Sequence, residues 1–248
     1  MDVGKRLDPN ARLGLRLTLI VAAFALIAIP FAFLLLEVVF KGPLTRRDQQ
    51  VADELNRYNL REDDGVELAR LVTHLGSTVM LIAVVVAATV WLAVLHRRRR
   101  QALFLVVTAT LGLVLNNVVK ALVGRTRPHF EHGGATALGS SFPSGHAMNS
   151  TIVYGCLLVI IWPRLRTTGA RVVALALTAA LVLAIATSRV LLTVHYVSDV
   201  VAGIVLGTAF VFASAAAFTA WRHEGGHLPA EIEAAPVLGE PDVDDVRS

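Results

Sequence analysis

The chain has 248 residues, 55% of them hydrophobic and only 17% charged, with a formal net charge of +4 and a mean hydropathy of +0.62. Soluble domains carry about 25% charged residues, and here no acidic residue falls between Glu67 and Glu131, or between Glu131 and Asp199. These figures exclude a disordered chain, argue against a soluble globule, and describe a multi-span membrane protein in which water meets only the connecting segments.

Residues 1–16 hold four bases and read as a cytoplasmic N-terminus. Leu17–Leu36 is a charge-free run between Arg16 and Glu37, long enough for a bilayer core that takes roughly 20 helical residues. It is long for a signal-peptide core, and no small-residue cleavage site follows it. Residues 41–70 mix seven acids with six bases and carry Val51, Leu55, Leu60 and Leu68. They predict a partly helical outer segment lying over the membrane surface. Leu71–Leu95 is the second predicted span, and Gln101–Val119 the third, after the block Arg97–Arg100. Ala147–Trp162, stopped by Pro163, is the fourth; Val172–Ser188 is the fifth; Val200–Trp221 is the sixth. Gly203-x-x-x-Gly207 in the last is a notch for close helix packing. The tail 224–248 clusters seven acids with three prolines and reads as disordered and cytoplasmic. The fold expected is therefore all-α: an integral membrane bundle of six transmembrane helices filling residues 17–223.

Lys and Arg in short loops resist translocation, so they set orientation. Four consecutive arginines fill the tightest loop, 96–100. Placing that loop in the cytoplasm puts both termini inside, with 13 bases on inner segments and 10 on outer ones. Without the tail the chain holds 22 bases against 12 acids. That excess suits nucleic acid, an anionic membrane surface or a phosphate ligand. The long apolar runs make nucleic acid the poorest fit, which leaves the bilayer and an anionic lipid as partners. Nothing in the sequence sets an oligomeric state. The one cysteine, Cys156, lies in an apolar run, so neither an intrachain disulfide nor a cysteine-built metal site is available.

Ionisable groups at membrane depth are costly and mark function. Here they fall in three short segments. In Lys120-Ala-Leu-Val-Gly-Arg-Thr-Arg127-Pro128, positions i and i+7 are nearly in phase on a helix, and Pro128 ends the element. Two cations then converge near the membrane boundary, unless they merely snorkel to headgroups. In Ser141-Phe-Pro143-Ser144-Gly145-His146, Gly145 allows close backbone approach and Ser144 can cap the following helix, whose N-terminus favours an anion. The plainer alternative is a Ser cap with a stray His. In Ser188-Arg189-x5-His195-x3-Asp199, the last two stack on one face if helical, and a carboxylate behind an imidazole fixes its tautomer. A satisfied interfacial His–Asp pair is the alternative there. Arg189 is about 120° out of phase with His195 on a continuous helix, which predicts a break near Thr193.

The six-span topology puts all three segments on the outer face. Lys120, Arg127 and Arg189 could surround one tetrahedral dianion, leaving two histidines and an aspartate for chemistry. Three cations would oppose a divalent ion, so no metal is expected, and there is no phosphate-binding loop of the Gly-x4-Gly-Lys-Ser/Thr type.

The order Lys-x6-Arg-Pro, Pro-Ser-Gly-His, Ser-Arg-x5-His-x3-Asp resembles the three-part signature of the type 2 phosphatidic acid phosphatase superfamily. Lys120, Arg127 and Pro128 match its first part; Pro143, Ser144, Gly145 and His146 its second; Ser188, Arg189, His195 and Asp199 its third. Soluble vanadium-dependent haloperoxidases resemble the same site but lack the six spans. The resemblance implies that His195 attacks phosphorus, Asp199 orients it, and His146 protonates the departing oxygen and then activates water. It implies that Lys120, Arg127, Ser144, Gly145 and Arg189 bind the phosphoryl oxygens, with no cofactor or metal. The function expected is hydrolysis of a lipid phosphate or polyprenyl diphosphate at the extracytoplasmic face of the plasma membrane. The alternative is a transporter or sensor that binds an anionic lipid headgroup without cleaving it. Two histidines of opposite protonation around a reference pKa of about 6.5 predict a bell-shaped pH profile.

Overall fold

The computed structural model describes residues 28–60, 64–128 and 139–224. The expected N-terminal segment 1–16, the first part of Leu17–Leu36 and nearly all of the tail 224–248 lie outside the described residues. The fold is all-helical, with no strand among the described residues.

Helix α1 is described from Ala28 to Val39. The chain then turns through Lys41, at φ +52°, into α2, Pro43–Asn59, whose axis lies 79° from that of α1. Pro43 opens α2 without losing a hydrogen bond, since a first-turn N–H has no helical acceptor. The Glu37 carboxylate accepts the Leu44 N–H at 3.0 Å, and a Cβ on Gly42 would collide with the same oxygen. Helix α3, Asp64–His74, follows. Ser77 caps α4, Thr78–Val90, accepting the Met80 N–H at 3.3 Å, and a single π-helical stretch continues α4 to Leu95.

The second predicted span, Leu71–Leu95, therefore begins too early. Its first residues close α3, and the apolar span proper starts after the break at Gly76–Ser77. Hydropathy ran through that break because Leu71, Val72 and Leu75 are apolar; the glycine and the capping serine were the signal.

Helix α5 runs Arg99–Val123 and ends on Gly124 in the left-handed conformation (φ +61°). Helix α6 is Gly145–Ile161, continued by a 3₁₀ turn, Trp162–Arg164, at Pro163. Helix α7 is Thr168–Leu191, capped by Thr167 Oγ1 on the Ala170 N–H at 3.1 Å. Helix α8 is Val197–Glu224. The first of two compact units ends at Ala215; of the second, from Ala216, only the end of α8 is described. Among the described residues, five helical segments are long and apolar enough to cross a membrane: Thr78–Leu95, Arg99–Val123, Gly145–Arg164, Thr168–Leu191 and Val197–Thr219. The bent pair α1–α2 would make a sixth.

Helix α6 is the hub. It packs on α5 and α7, and 44% of its span is buried against 11% for the α4 span. Helix α8 lies against it through the predicted glycine notch. A Cβ on Gly203 would fall 2.8 Å from the Ser144 carbonyl oxygen, and one on Gly207 2.9 Å from that of Met148. Only bare backbone lets the two helices approach this closely. The outer faces stay apolar, as with Val79, Ile82 and Val86 on α4.

Candidate active site

The C-terminus of α5, the N-terminus of α6, the C-terminus of α7 and the N-terminus of α8 gather together. There they enclose a cavity of about 240 Å³, lined by Lys120, Arg127, Gly145, His146, Arg189 and His195, with Gly76, Asn116, Asn117 and Asn149 among the other walls. Six of the eight residues singled out in the sequence line this one space. Asp199 is fully buried behind His195, and Ser144 is fully buried beneath the α6 terminus.

Arg127 reaches the cavity differently from expectation. Gly124 stops α5 three residues before Arg127, so Lys120 and Arg127 do not share a helix face. Their side chains meet instead over the segment before α6: Lys120 Nζ donates to the Ser140 carbonyl at 2.7 Å, and Arg127 Nε to that of Gly139 at 3.0 Å. Both cations are thus held by partial negative charge at the cavity wall.

The break predicted near Thr193 is present. Helix α7 ends at Leu191, and Thr193 sits at φ +52°, a strained position for a β-branched residue. His195 therefore lies ahead of α8, and not on a helix face with Asp199. The pair still meets because Asp199 occupies the third position of α8 and folds back: its Oδ2 accepts the Tyr196 N–H at 3.0 Å, half of a capping box, and lies 3.5 Å from His195 Nδ1. At 3.5 Å this contact is long for a hydrogen bond, and Nδ1 has no other partner.

The other ring nitrogen, Nε2, is 3.0 Å from Arg127 Nη1, which also donates to the Val194 carbonyl at 2.8 Å. A guanidinium can only donate. Nε2 is therefore the bare nitrogen, and the neutral ring carries its proton on Nδ1, toward Asp199. Burial pushes the His195 pKa down to about 4, against the pull of Asp199 and with help from Arg127 and Lys120.

Three further features suit an anion. Ser144 holds the N-cap position of α6, but its hydroxyl makes no cap hydrogen bond and is buried without a partner. Arg189 donates through Nη1 to Thr73 Oγ1 at 2.8 Å, while its buried Nε has no partner. At Gly145 a Cβ would stand 3.2 Å from Asn116 Oδ1 and 3.8 Å from Lys120 Cε, so the missing side chain leaves room at the helix terminus. Buried donors without partners are rare and call for an explanation; a bound anion would supply one. Among the described residues, no group of three or more His, Cys, Asp or Glu side chains is placed to hold a metal ion.

Sequence reasoning missed several neighbours. Gly76 packs against Ile185 and the His146 ring. Arg125 and Asp48 form buried ion pairs behind the site, at 2.6 Å (Arg125–Asp199) and 2.8 Å (Arg125–Asp48). Arg125 stood in view between Lys120 and Arg127. Asp48 was one acid of seven in a segment that reads as surface.

Residues 101–223 match the model of the PAP2 superfamily. The chain is 33% identical over 147 residues to phosphatidylglycerophosphatase B of Bacillus subtilis (strain 168), covering 57% of this chain and 69% of that one. Its fold is similar to the crystal structure titled as the first transmembrane PAP2 type phosphatidylglycerolphosphate phosphatase, from Bacillus subtilis. The TM-score is 0.70 at 22% identity, over 81% of this chain and 96% of that one. Signature, fold and relatives agree: the chain belongs to the PAP2 superfamily.

Proposed function

We propose that this membrane phosphatase hydrolyses a lipid phosphate or polyprenyl diphosphate at the extracytoplasmic face of the plasma membrane, without a metal, through a phosphohistidine on His195. One observation carries the reading: the bare Nε2 of His195 opens onto the same cavity as Lys120, Arg127, Arg189 and His146, while its Nδ1 faces Asp199.

The Nε2 lone pair forms the N–P bond as the P–O ester bond breaks, and the departing oxygen takes the proton of His146. The phosphorylated ring is cationic, and the Asp199 carboxylate stabilises it. Water then attacks phosphorus and gives a proton to His146; the N–P bond breaks and His195 recovers its lone pair. Lys120, Arg127, Arg189, Ser144 and the Gly145 amide hold the phosphoryl oxygens, where the transition state concentrates charge.

The proposed facing rests on α5. Its 25 residues span roughly 37 Å, from the Arg97–Arg100 block at one end to Lys120 at the other. With the arginines in the cytoplasm, the cavity faces outward. Residues 41–70 then lie outside, and residues 1–16 and 224–248 inside. Phosphatidylglycerol phosphate, named by the relatives, is the first substrate to try.

The test is phosphate release in detergent with EDTA present, from phosphatidylglycerol phosphate, phosphatidate and a polyprenyl diphosphate. We expect turnover of at least one, and loss of turnover in His195→Ala. His146→Ala should slow it by about 10²–10⁴-fold. Arg98→Ala, at the far end of α5, should leave it unchanged. Protein that binds these lipids tightly yet releases no phosphate would defeat the proposal in favour of a transporter or sensor.

A further inference from the structure

Two buried charged residues take no part in the steps above. Arg125 follows the end of α5, its guanidinium 4.1 Å over the Tyr196 ring. Its Nη1 donates to Asp199 Oδ1 at 2.6 Å and to Ser198 Oγ at 2.7 Å, and its Nη2 donates to Asp48 Oδ2 at 2.8 Å. Asp48, 3% exposed, comes from α2, most of whose length is solvent-accessible. It also accepts the Ser198 N–H at 3.2 Å and the Ser198 hydroxyl.

A buried ion pair can simply clamp α2 to α8. A clamp alone, however, does not need the catalytic carboxylate as its anchor. Here the chain of contacts ends on the oxygen of Asp199 that does not face His195. The charges also have a consequence. Arg125 and Asp199 alone make a neutral pair, which offers little to an imidazole about to become cationic. Asp48 brings the cluster to a net charge of −1, next to the ring that gains +1 on phosphorylation.

We propose that Arg125 and Asp48 are positioning residues for phosphoryl transfer. Arg125 holds Asp199 by its outer oxygen so that the inner one faces His195 Nδ1. Asp48 restores the negative charge that Arg125 would otherwise cancel. Helix α2 thereby becomes part of the catalytic apparatus. This rests on His195 as the nucleophile.

The readout is the pH dependence of kcat/KM, measured on full-length protein in detergent with phosphatidylglycerol phosphate. The other charged or titratable groups around His195 are Asp199 from α8, Lys120 from α5, Arg127 after α5, Arg189 from α7 and His146 from α6; none changes in these variants. Asp48→Asn keeps its shape but loses its charge. It should lower kcat by roughly tenfold or more with KM nearly unchanged, and move the acid limb to lower pH. Arg125→Gln removes the cation and should move that limb to higher pH. The double variant should return the limb toward that of the parent protein. A clamp with no catalytic role predicts none of these opposed shifts. Limbs that stay put or move together would overturn the inference, as would loss of activity that follows only loss of folded protein on thermal melting. If the parent protein releases no phosphate from any substrate and forms no acid-labile phosphoprotein, the proposed function itself fails. If it does both and the variants match it, only this inference falls.

Discussion

The His195 ring is 3% exposed, and burial holds its pKa at about 4. From the reference value of 6.5, the acid limb of the activity profile belongs near 6.5; in the folded protein it belongs near 4, because His195 stays neutral far into acid. The acid limb of phosphate release, set by His195, should therefore fall near pH 4 and not near pH 6.5, while the other limb of the bell belongs to His146. The same shift bears on stability. The unfolded chain takes up this proton near pH 6.5 and the folded chain only near 4, so the unfolded state binds more protons between those values. Melting temperature in detergent should fall as pH is lowered through that window. His195→Gln, which cannot titrate, should flatten this part of the dependence. These residues were legible in the sequence because nothing structural accounts for ionisable groups at membrane boundaries. Arg125 and Asp48 were not legible: one was hidden among other cations, the other among ordinary helix acids. Only the fold, by turning Asp48 inward, singles it out.

At the scale of elements, the ends of helices matter more than their apolar middles. Hydropathy located the spans but misplaced their limits, since a helix continues past its last apolar residue as long as its backbone hydrogen bonds persist. Val172–Ser188 became Thr168–Leu191, and Gln101–Val119 became Arg99–Val123. The break at Thr193 was predictable from the phase of Arg189 and His195. The stop of α5 short of Arg127 was not, although Gly124 marks it in hindsight as a left-handed cap. Contact between α6 and α8 is set by Gly203, whose added Cβ would meet backbone, and backbone cannot rotate away. Gly203→Ala should therefore cost about 1–3 kcal/mol of stability. It should also reduce turnover, because Ser144 N donates to the Asp199 carbonyl at 2.9 Å across the same interface. Thermal melting and phosphate release, measured side by side, check both effects.

At the scale of the molecule, distant stretches of chain meet because antiparallel helices bring alternate ends together. That convergence could be inferred from span parity alone, and it places Lys120, His146 and His195 around one cavity. The proposed facing has its own test. Gln50 on α2 and Arg98 before α5 are both exposed, and the native Cys156 is buried. In intact cells a membrane-impermeant maleimide should label Gln50→Cys and spare Arg98→Cys until the membrane is opened. The reverse pattern would turn the molecule over and put the cavity in the cytoplasm.

The contact between Arg127 and His195 Nε2 has a consequence for chemical vulnerability. On the proposed mechanism the electron pair meant for phosphorus is engaged by a guanidinium, so a stray electrophile finds a shielded imidazole. A dianion drawn to Arg127 competes for that guanidinium, and so exposes the nucleophile as its own target arrives. Shield and trigger are then one side chain. Arg127→Ala should react faster with diethyl pyrocarbonate at His195 while turning over lipid phosphate more slowly, two rates moved in opposite directions by a single substitution.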